Sequence, residues 1–153
     1  MSNVRLKFIL SAVILVGLVF TAVAIFCQSQ VARAEIGDET IVLEIAGSPK
    51  EHYQGLSDRP YLEDNKGMLF VFNDYTSHDF VMRRMNFPLD IIWIDDNKII
   101  GWCDNLPAPL AGEEPAHCVI NRPVNSVLEV NAGFIGKTGL KIGDSFEMLT
   151  KLE

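Results

Sequence analysis

The sequence predicts a mainly β domain, a compact antiparallel jelly-roll-like sandwich or partial barrel with about two short helices. Short runs of β-branched and aromatic residues, separated by turn residues, outnumber helical segments by roughly seven or eight to two. The clearest pair of runs is Leu89–Asp95 with Lys98–Trp102, which are joined by Asp96 and Asn97. Both joining residues tolerate a positive φ, so this segment predicts a β-hairpin with a tight turn.

The elements before this hairpin follow from local patterns. Thr40–Ala46 alternates apolar and polar residues, which predicts a half-buried strand. Ser48 is followed by Pro49 and Glu51, the arrangement of a capping box. A short helix is therefore expected from this point to about Gly55.

The remaining elements are mostly strands. Met68–Phe72 is apolar on both faces, which predicts a strand in the middle of the core rather than at an edge. The others predicted, in chain order, are strands at Asp79–Arg84, Val119–Ile120, Ser126–Val130 and Ser145–Thr150, a Pro-rich loop over 105–116, and a short helix at Ala132–Thr138.

The N-terminal segment has the order of a secretory signal. Arg5 and Lys7 precede an uncharged apolar run over residues 8–26. Ala32 and Ala34 then supply the small residues that a signal peptidase reads. This order predicts a protein that is delivered across a membrane.

The sequence predicts cleavage between Ala34 and Glu35, so that residues 1–34 are removed and residues 35–153 form a single domain. The alternative is an uncleaved anchor, because the apolar run approaches the ~20 residues that span a bilayer. The domain is therefore expected to be periplasmic or secreted, or else anchored in the inner membrane and facing the periplasm.

The charge of the exported part restricts its partners. Without residues 1–34 the chain retains 10 basic and 20 acidic residues, a net charge of −10. Binding to a phosphate backbone requires clustered Lys and Arg, so a nucleic-acid partner is not expected. The expected partner is an unidentified envelope protein or a small anionic ligand.

Cys103 and Cys118 are the two cysteines after the signal, and they lie at the two ends of a Pro-rich segment. In an oxidising compartment this arrangement favours a disulfide over two buried free thiols. A metal site that also uses His117 is a further alternative, but the spacing matches no zinc pattern. No metal or cofactor is therefore expected.

Several blocks of sequence carry a family resemblance. They are Gln54-Gly55-Leu56-Ser57 with Arg59 and Leu62, Gly67-Met68-Leu69-Phe70 with Phe72, Phe80 with Met82, Pro88 to Asp95, Val127 to Gly133, and Gly139 to Asp144. With these blocks in this order, the chain resembles the bacterial and archaeal domain-of-unknown-function 192 family. The resemblance implies a compact, mainly β domain with a couple of short helices, and it brings no established activity.

One block departs from the family pattern. Where the family usually has Trp, Met, Lys, Asn and Thr after Phe80, this chain has Val81–Met85. Two neighbouring arginines there favour an anionic ligand, and strand alternation allows only one of them to face a given pocket. The candidate acid partner for an inward arginine is Asp90. The candidate ligand-binding residues are Arg83, Arg84, Met82 and Asn131.

The acidic residues have two interpretations. Asp90 and Glu129 could act as an acid–base pair, or they could form a structural ion pair with Arg59, whose guanidinium suits a bidentate bond to a carboxylate. The histidines His52, His78 and His117 are interpreted as solvated residues. No nucleophile motif is present, so no catalytic residue is assigned.

Two functional classes follow. The favoured one is a non-catalytic binding or interaction module of the bacterial cell envelope. The alternative is a small envelope enzyme, a hydrolase or lyase, that uses Asp90 or Glu129 as its acid or base. The feature that separates them is whether titratable groups converge in one cleft.

Overall fold

The computed structural model describes residues 31–149, and this part of the chain is mainly β with two short helices, as predicted. Its elements are β1 Val31–Ile36, β2 Glu39–Ala46, α1 Pro49–Gln54, β3 Lys66–Thr76, β4 Asp79–Val81, β5 Leu89–Asp95, β6 Lys98–Leu106, β7 His117–Val119, β8 Val124–Asn131, α2 Phe134–Thr138 and β9 Phe146–Met148.

Seven strands form one curled sheet in the order β6-β5-β8-β3-β2-β1-β9, and β4 pairs with β7 in a separate small sheet. The two edges of the large sheet approach each other: Lys98 on β6 forms a bridge with Ser145, and the Phe146 N–H donates to the Asn97 carbonyl at 2.9 Å. The sheet is therefore a partial barrel. One strand pair differs from the antiparallel prediction, since β2 and β3 run parallel. The segment that contains α1 carries the chain back between them, as a parallel pair requires.

Two local predictions are confirmed. The turn between β5 and β6 has positive φ at both Asp96 and Asn97. Helix α1 begins with the predicted capping box: the Glu51 N–H donates to the Ser48 hydroxyl, and the Glu51 carboxylate accepts from the Ser48 N–H at 2.8 Å.

The start of the fold differs from the sequence prediction. Strand β1 includes residues 31–34, which were expected to be removed with the signal. Ala32 and Ala34 are buried against the core, and β1 pairs with both β2 and β9. Small alternating residues of this kind suit a closely packed strand as well as a peptidase site. The fold therefore includes residues 31–34, while cleavage stays a prediction and residues 1–30 lie outside the described part.

Each face of the curled sheet has its own hydrophobic cluster. We call the first the aliphatic face; it is built around Leu69, Ile92, Leu128 and Val130 and is covered by α2. We call the second the aromatic face; its buried residues include Met68, Phe70, Phe80, Trp93 and Val127. The period of two along each strand assigns successive residues of β3, β5 and β8 to opposite faces.

The small sheet is attached covalently to the large one. Cys103 on β6 and Cys118 on β7 form the predicted disulfide, with their Cα atoms 6.0 Å apart. Disulfides of this kind persist in oxidising compartments, which indicates a location outside the cytoplasm. Within residues 31–149, neither helix has the length and apolar character that a bilayer crossing needs.

Candidate functional site

A cavity of about 310 Å³ opens on the aromatic face. Helix α1 and the loop that follows it form one side, β3 and β8 form the floor, and β4 with its flanking residues forms the other side. The lining residues are His52, Tyr53, Gln54, Gly55, Leu56, Ser57, Phe70, Phe72, His78, Asp79, Phe80, Val81, Arg83, Met85 and Glu129. A volume of this size lies at the lower end of the range for small-molecule sites.

The floor of the cavity follows from strand alternation and register. Phe70 and Phe72 lie two residues apart on β3, so they share a face. Glu129 on β8 stands opposite Met68 on β3 and opposite Ile91 on β5. The sheet thus places one acidic side chain in a row of apolar ones, on the same face as the two phenylalanines.

The walls are mostly aromatic. Phe70 meets Phe80 edge to face at 4.9 Å between ring centroids, and His78 stacks on Phe72 at 3.6 Å. His52 lies 4.6 Å from the Phe72 ring, and its Nε2 is 2.9 Å from the Ala46 carbonyl oxygen. These contacts form a connected aromatic wall with specific ring geometry.

Glu129 is the acidic group of this floor. It is 8% exposed, and its Oε2 has no hydrogen-bond partner among the described residues. Burial raises the pKa of this carboxyl to about 8, although the positive charge of Arg59 acts in the opposite direction. Because burial penalises the charged form, the side chain is neutral at pH 7 and presents an O–H group.

Two glycines allow the chain to pack closely around Glu129. A side chain at Gly67 would lie 2.9 Å from the backbone oxygen of Glu129. Gly55 has φ +48°, and a side chain there would lie 3.3 Å from the Phe70 ring and 3.9 Å from Glu129 Oε2. Glycine at these positions of the Gln54–Ser57 and Gly67–Phe70 blocks is therefore explained by packing around the cavity floor.

The predicted ion pair has a different partner. Arg59 makes a bidentate bond to Glu44, with both N–O distances 2.7 Å, rather than to Asp90 or Glu129. Hydrogen bonding to Arg59 lowers the pKa of Glu44. Glu44 was missed because it lies on an alternating strand, where an outward acid is the ordinary expectation. Since Arg59 is already occupied, Glu129 has no direct cationic partner among residues 31–149.

Asp90 lies on the aliphatic face and away from the cavity. Its register partner on β8 is Val130, and the residue is fully buried. One carboxylate oxygen accepts the Asn105 N–H at 2.8 Å and the other accepts the Ile135 N–H at 2.9 Å, at the start of α2. Both oxygens are thus used structurally, so Asp90 is neither the partner of an arginine nor an acid–base group of this site.

The four candidate ligand residues separate in the structure. Only Arg83 lines the cavity. Met82 is a core residue that is 1% exposed, Arg84 binds Asp58 at the surface, and Asn131 donates to the Leu62 carbonyl at 3.0 Å. The last three make contacts within the fold and do not line this cavity.

The arginine pair also lies in a turn rather than in a strand. Strand β4 ends at Val81, and Arg84 has φ +53°. Arg83 stacks over the Tyr53 ring at 4.1 Å and donates to the Tyr53 carbonyl at 2.6 Å, while its buried Nε has no partner among the described residues. No acid pairs with Arg83 within residues 31–149. Arg83 thus faces the cavity and Arg84 the surface, but a turn rather than strand alternation separates the two side chains.

The interpretation of the histidines as solvated is wrong for two of the three. His52 and His78 line the cavity and are half-buried. Burial lowers the pKa of His78, and its Nε2 has no partner among the described residues. His117 is exposed, with its Nδ1 2.9 Å from Asp79 at the cavity edge. His78 lies two residues before Phe80, a spacing that places both side chains on one face of an extended chain, and this was the available signal.

The described residues contain no group of three or more His, Cys, Asp and Glu side chains that would hold a metal ion. The cavity instead combines aromatic walls with a neutral carboxyl group, a guanidinium and two imidazoles. Such a set can bind a small molecule through a few directed hydrogen bonds, and it can also exchange protons with one.

Comparisons with known proteins agree with this fold. The sequence profile of the family DUF192, described as "Uncharacterized ACR", matches residues 31–148. No curated protein matches the chain. The crystal structure of a candidate transcription regulator from Sinorhizobium meliloti 1021 is 27% identical and has a TM-score of 0.72, covering 79% of this chain and 95% of that one. A protein of unknown function from Novosphingobium aromaticivorans DSM 12444 is 29% identical with a TM-score of 0.68, covering 77% and 85%.

Proposed function

The chain belongs to the domain-of-unknown-function 192 family, which leaves its activity open, and we propose that it is a non-catalytic binding domain of the bacterial cell envelope. Its ligand is a small molecule that enters the aromatic cavity. The ligand carries an anionic group that interacts with Arg83.

The observation that carries this proposal is the set of unpartnered polar atoms at the cavity. Three buried side-chain atoms lack a hydrogen-bond partner within the described residues, His78 Nε2, Arg83 Nε and Glu129 Oε2, and all three belong to residues that line this one cavity. A buried polar group without a partner costs about 1–3 kcal/mol. Because all three atoms belong to residues around one opening, a ligand towards which these side chains turn would supply the missing partners.

An anionic group is supported by the charges at the cavity. Arg83 carries a full positive charge and pairs with no acid within residues 31–149. Glu129 is neutral at pH 7 because burial raises its pKa to about 8, so it does not cancel that charge. An anion entering the cavity therefore meets a cation without a counter-ion.

The envelope location is supported by the disulfide and by the apolar N-terminal segment. We propose the periplasm, with an inner-membrane anchor as the alternative. The acidic composition supports a partner other than nucleic acid.

The test compares the two adjacent arginines. The full-length chain, purified in mild detergent with its disulfide intact, is screened against a library of small organic acids by thermal shift, and hits are measured by calorimetry. We expect Arg83→Gln to weaken binding of an acidic hit by about tenfold or more, since hydrogen bonds to charged groups contribute ~1.5–3 kcal/mol. Arg84→Gln is the matched control and should bind as the wild type does. A library without hits, or equal losses in both variants, would contradict the proposal.

A second candidate is a small hydrolase or lyase that uses Glu129 as its acid or base. The supporting observation is the position of Glu129, a carboxyl group with a pKa of about 8 that lines a cavity containing two imidazoles. Each acidic hit, together with its ester and amide, is incubated with the wild type and analysed by mass spectrometry. Product that forms with the wild type but not with Glu129→Gln, which still binds, would replace the binding proposal with this one. Recovery of every compound unchanged excludes the enzyme for those compounds.

A further inference from the structure

We infer that Glu129 recognises the ligand as a hydrogen-bond donor, and that the ligand class is a flat, aromatic monocarboxylic acid. The carboxylate of the ligand accepts the O–H of the neutral Glu129 side chain at the floor and interacts with Arg83, while its aromatic body contacts the phenylalanine rings. This inference rests on the proposed binding function and specifies its ligand.

The chemistry of the walls selects the body of the ligand. Phe70, Phe72 and Phe80 form the apolar surface, and they meet one another and His78 in stacked and edge-to-face contacts. Aromatic rings pack well into such walls because offset and edge-to-face contacts are favourable. A cavity of about 310 Å³ accommodates one or two fused rings with a short polar group.

The charged and titratable groups around Glu129 select the polar group of the ligand. They come from β2, α1 and its following loop, the β3–β4 connection, β4 and the turn after it: Glu44, His52, Arg59, His78, Asp79 and Arg83.

These groups differ in position and pairing. Glu44 and Arg59 form an ion pair with each other, and burial lowers the pKa of His78, which favours its neutral form. Asp79 is about half exposed at the cavity edge, where it interacts with His117. Among the described charged side chains of the cavity lining, Arg83 is the one with a buried polar atom that has no partner, and Glu129 is a neutral acid. An ammonium ligand would meet the guanidinium charge, whereas a carboxylate ligand is attracted by it.

The number of hydrogen-bond donors without an acceptor also fits a carboxylate. A carboxylate is an acceptor through both oxygens, and Arg83 Nε–H and the Glu129 O–H are two buried donors without an acceptor among the described residues. A ligand amide would have to accept from both donors through its single carbonyl oxygen, and it would also bring N–H groups that need acceptors. Carboxylate is thus the group that uses these donors most completely.

Proton linkage follows from this mode of binding. A ligand that binds only the protonated form of Glu129 raises the pKa of that group further, and its affinity falls as the pH rises through the pKa of the free protein. With that pKa near 8, binding should be about tenfold weaker at pH 9 than at pH 7. A cation would show the opposite sign, because it prefers the ionised form.

The test uses three probes with one aromatic body: 2-naphthoate, 2-naphthamide and 2-naphthylmethylammonium. Their affinities for the full-length, disulfide-bonded chain are measured by calorimetry between pH 6 and pH 9, in buffers of different ionisation enthalpy so that proton uptake is measured directly. We expect 2-naphthoate to bind most tightly, with proton uptake near pH 8 and about tenfold weaker binding at pH 9 than at pH 7.

Variants assign the linkage to Glu129. Glu129→Gln retains a donor but cannot ionise, so 2-naphthoate should bind to it without the loss between pH 7 and pH 9. Glu147→Gln, the same change at an exposed position of β9, should keep the wild-type pH dependence. If Glu129→Gln fails to fold, proton uptake by the wild type near pH 8 still decides.

The outcomes also separate this inference from the proposed function. Tighter binding of the ammonium probe, with proton release, overturns the inference while leaving the cavity a binding site. Binding of 2-naphthoate without proton uptake overturns the role of Glu129. Failure of all three probes overturns the ligand class, and the library screen then decides the proposed function independently.

Discussion

The two faces of the curled sheet bury one carboxyl group each, and they treat it in opposite ways. On the aliphatic face, both oxygens of Asp90 accept backbone N–H groups, one from the end of β6 and one from the start of α2. On the aromatic face, Glu129 Oε2 has no partner within the described residues. The two side chains belong to neighbouring strands, and both residues are at least nine-tenths buried.

The difference shows that burial alone does not tell whether an acid is structural. The aliphatic face is closed by α2, whose first N–H groups need acceptors, so a carboxylate there completes the fold. The aromatic face is left open as a cavity, and the acid on it adds a cost to folding. A group that costs stability and lines a cavity is a candidate for function.

The largest expected effect compares the two acids directly. Asp90→Asn should lower the free energy of unfolding by about 3 kcal/mol, because one backbone N–H would then face an NH₂ group. Glu129→Gln should raise it by roughly 3 kcal/mol at pH 7, because folding no longer has to protonate a carboxyl group whose pKa rises from 4.5 to about 8.

The pH dependence of the free energy of unfolding tests the sign expected for Glu129→Gln. In the folded state Glu129 holds its proton up to about pH 8, whereas the unfolded chain releases it near 4.5. The part of the wild-type stability that depends on protonated Glu129 is therefore fully present below pH 4.5 and is lost as the pH rises towards 8. Urea denaturation at pH 4.5, 6 and 8 should show the advantage of Glu129→Gln growing with pH. A constant difference between variant and wild type would break the comparison of the two faces.

The disulfide should affect the aromatic face more than the aliphatic one. Cys118 stands opposite Phe80 in the β4–β7 sheet, and β4 forms one side of the cavity. Replacing both cysteines by Ser should lower the free energy of unfolding by ~3 kcal/mol on the chain-entropy model. Hydrogen exchange should speed up first in β4 and β7, while β1 and β2 keep their protection. Uniform loss across the sheet would show that the cavity wall is not a separate unit.

Arg59→Ala tests the ion pair whose positive charge acts on Glu129. Loss of the bidentate bond to Glu44 should lower the free energy of unfolding by ~1–3 kcal/mol, and it should raise the pKa of Glu129 further, since the Arg59 charge lowers it. Thermal denaturation and titration of the Glu129 infrared band measure the two effects. Arg84→Ala, which breaks an exposed pair with Asp58, is the control and should cost under about 1 kcal/mol.

The smallest effect is expected at the cap of α1. Ser48→Ala removes the acceptor of the Glu51 N–H, and capping residues contribute about 1 kcal/mol. Because α1 carries His52 and Tyr53, which line the cavity, 2-naphthoate binding should weaken along with stability. Full affinity with the expected loss of stability would show that the wall does not depend on the cap.

Local chemistry predicted much of the fold. The positive φ at Asp96 and Asn97, the capping box at Ser48 and the Cys103–Cys118 bridge each depend on a few neighbouring residues, and all three are present. Burial of Glu129 was also within reach, because an acid inside an apolar run of β8 faces the same side as Val127.

The site itself could not be predicted in full, because it is assembled from segments far apart in the chain. Arg59 had several possible acids, and only the folded position of the loop after α1 shows that Glu44 on β2 is the one within reach. His52 and His78 join the same cavity from α1 and from the β3–β4 connection. No local pattern contains that distance information.

The pairing of β1 with β9 has a consequence for how the protein is made. Strand β1 lies between β2 and β9, with Ile36 opposite Phe146, so the partial barrel closes only when β9 is available for pairing. A chain that crosses a membrane from its N-terminus reaches the far side with this strand unpaired on one edge. Contacts between distant segments form slowly. In the proposed export, completion of the barrel would therefore be a late step, and the newly arrived chain would expose a β edge until then.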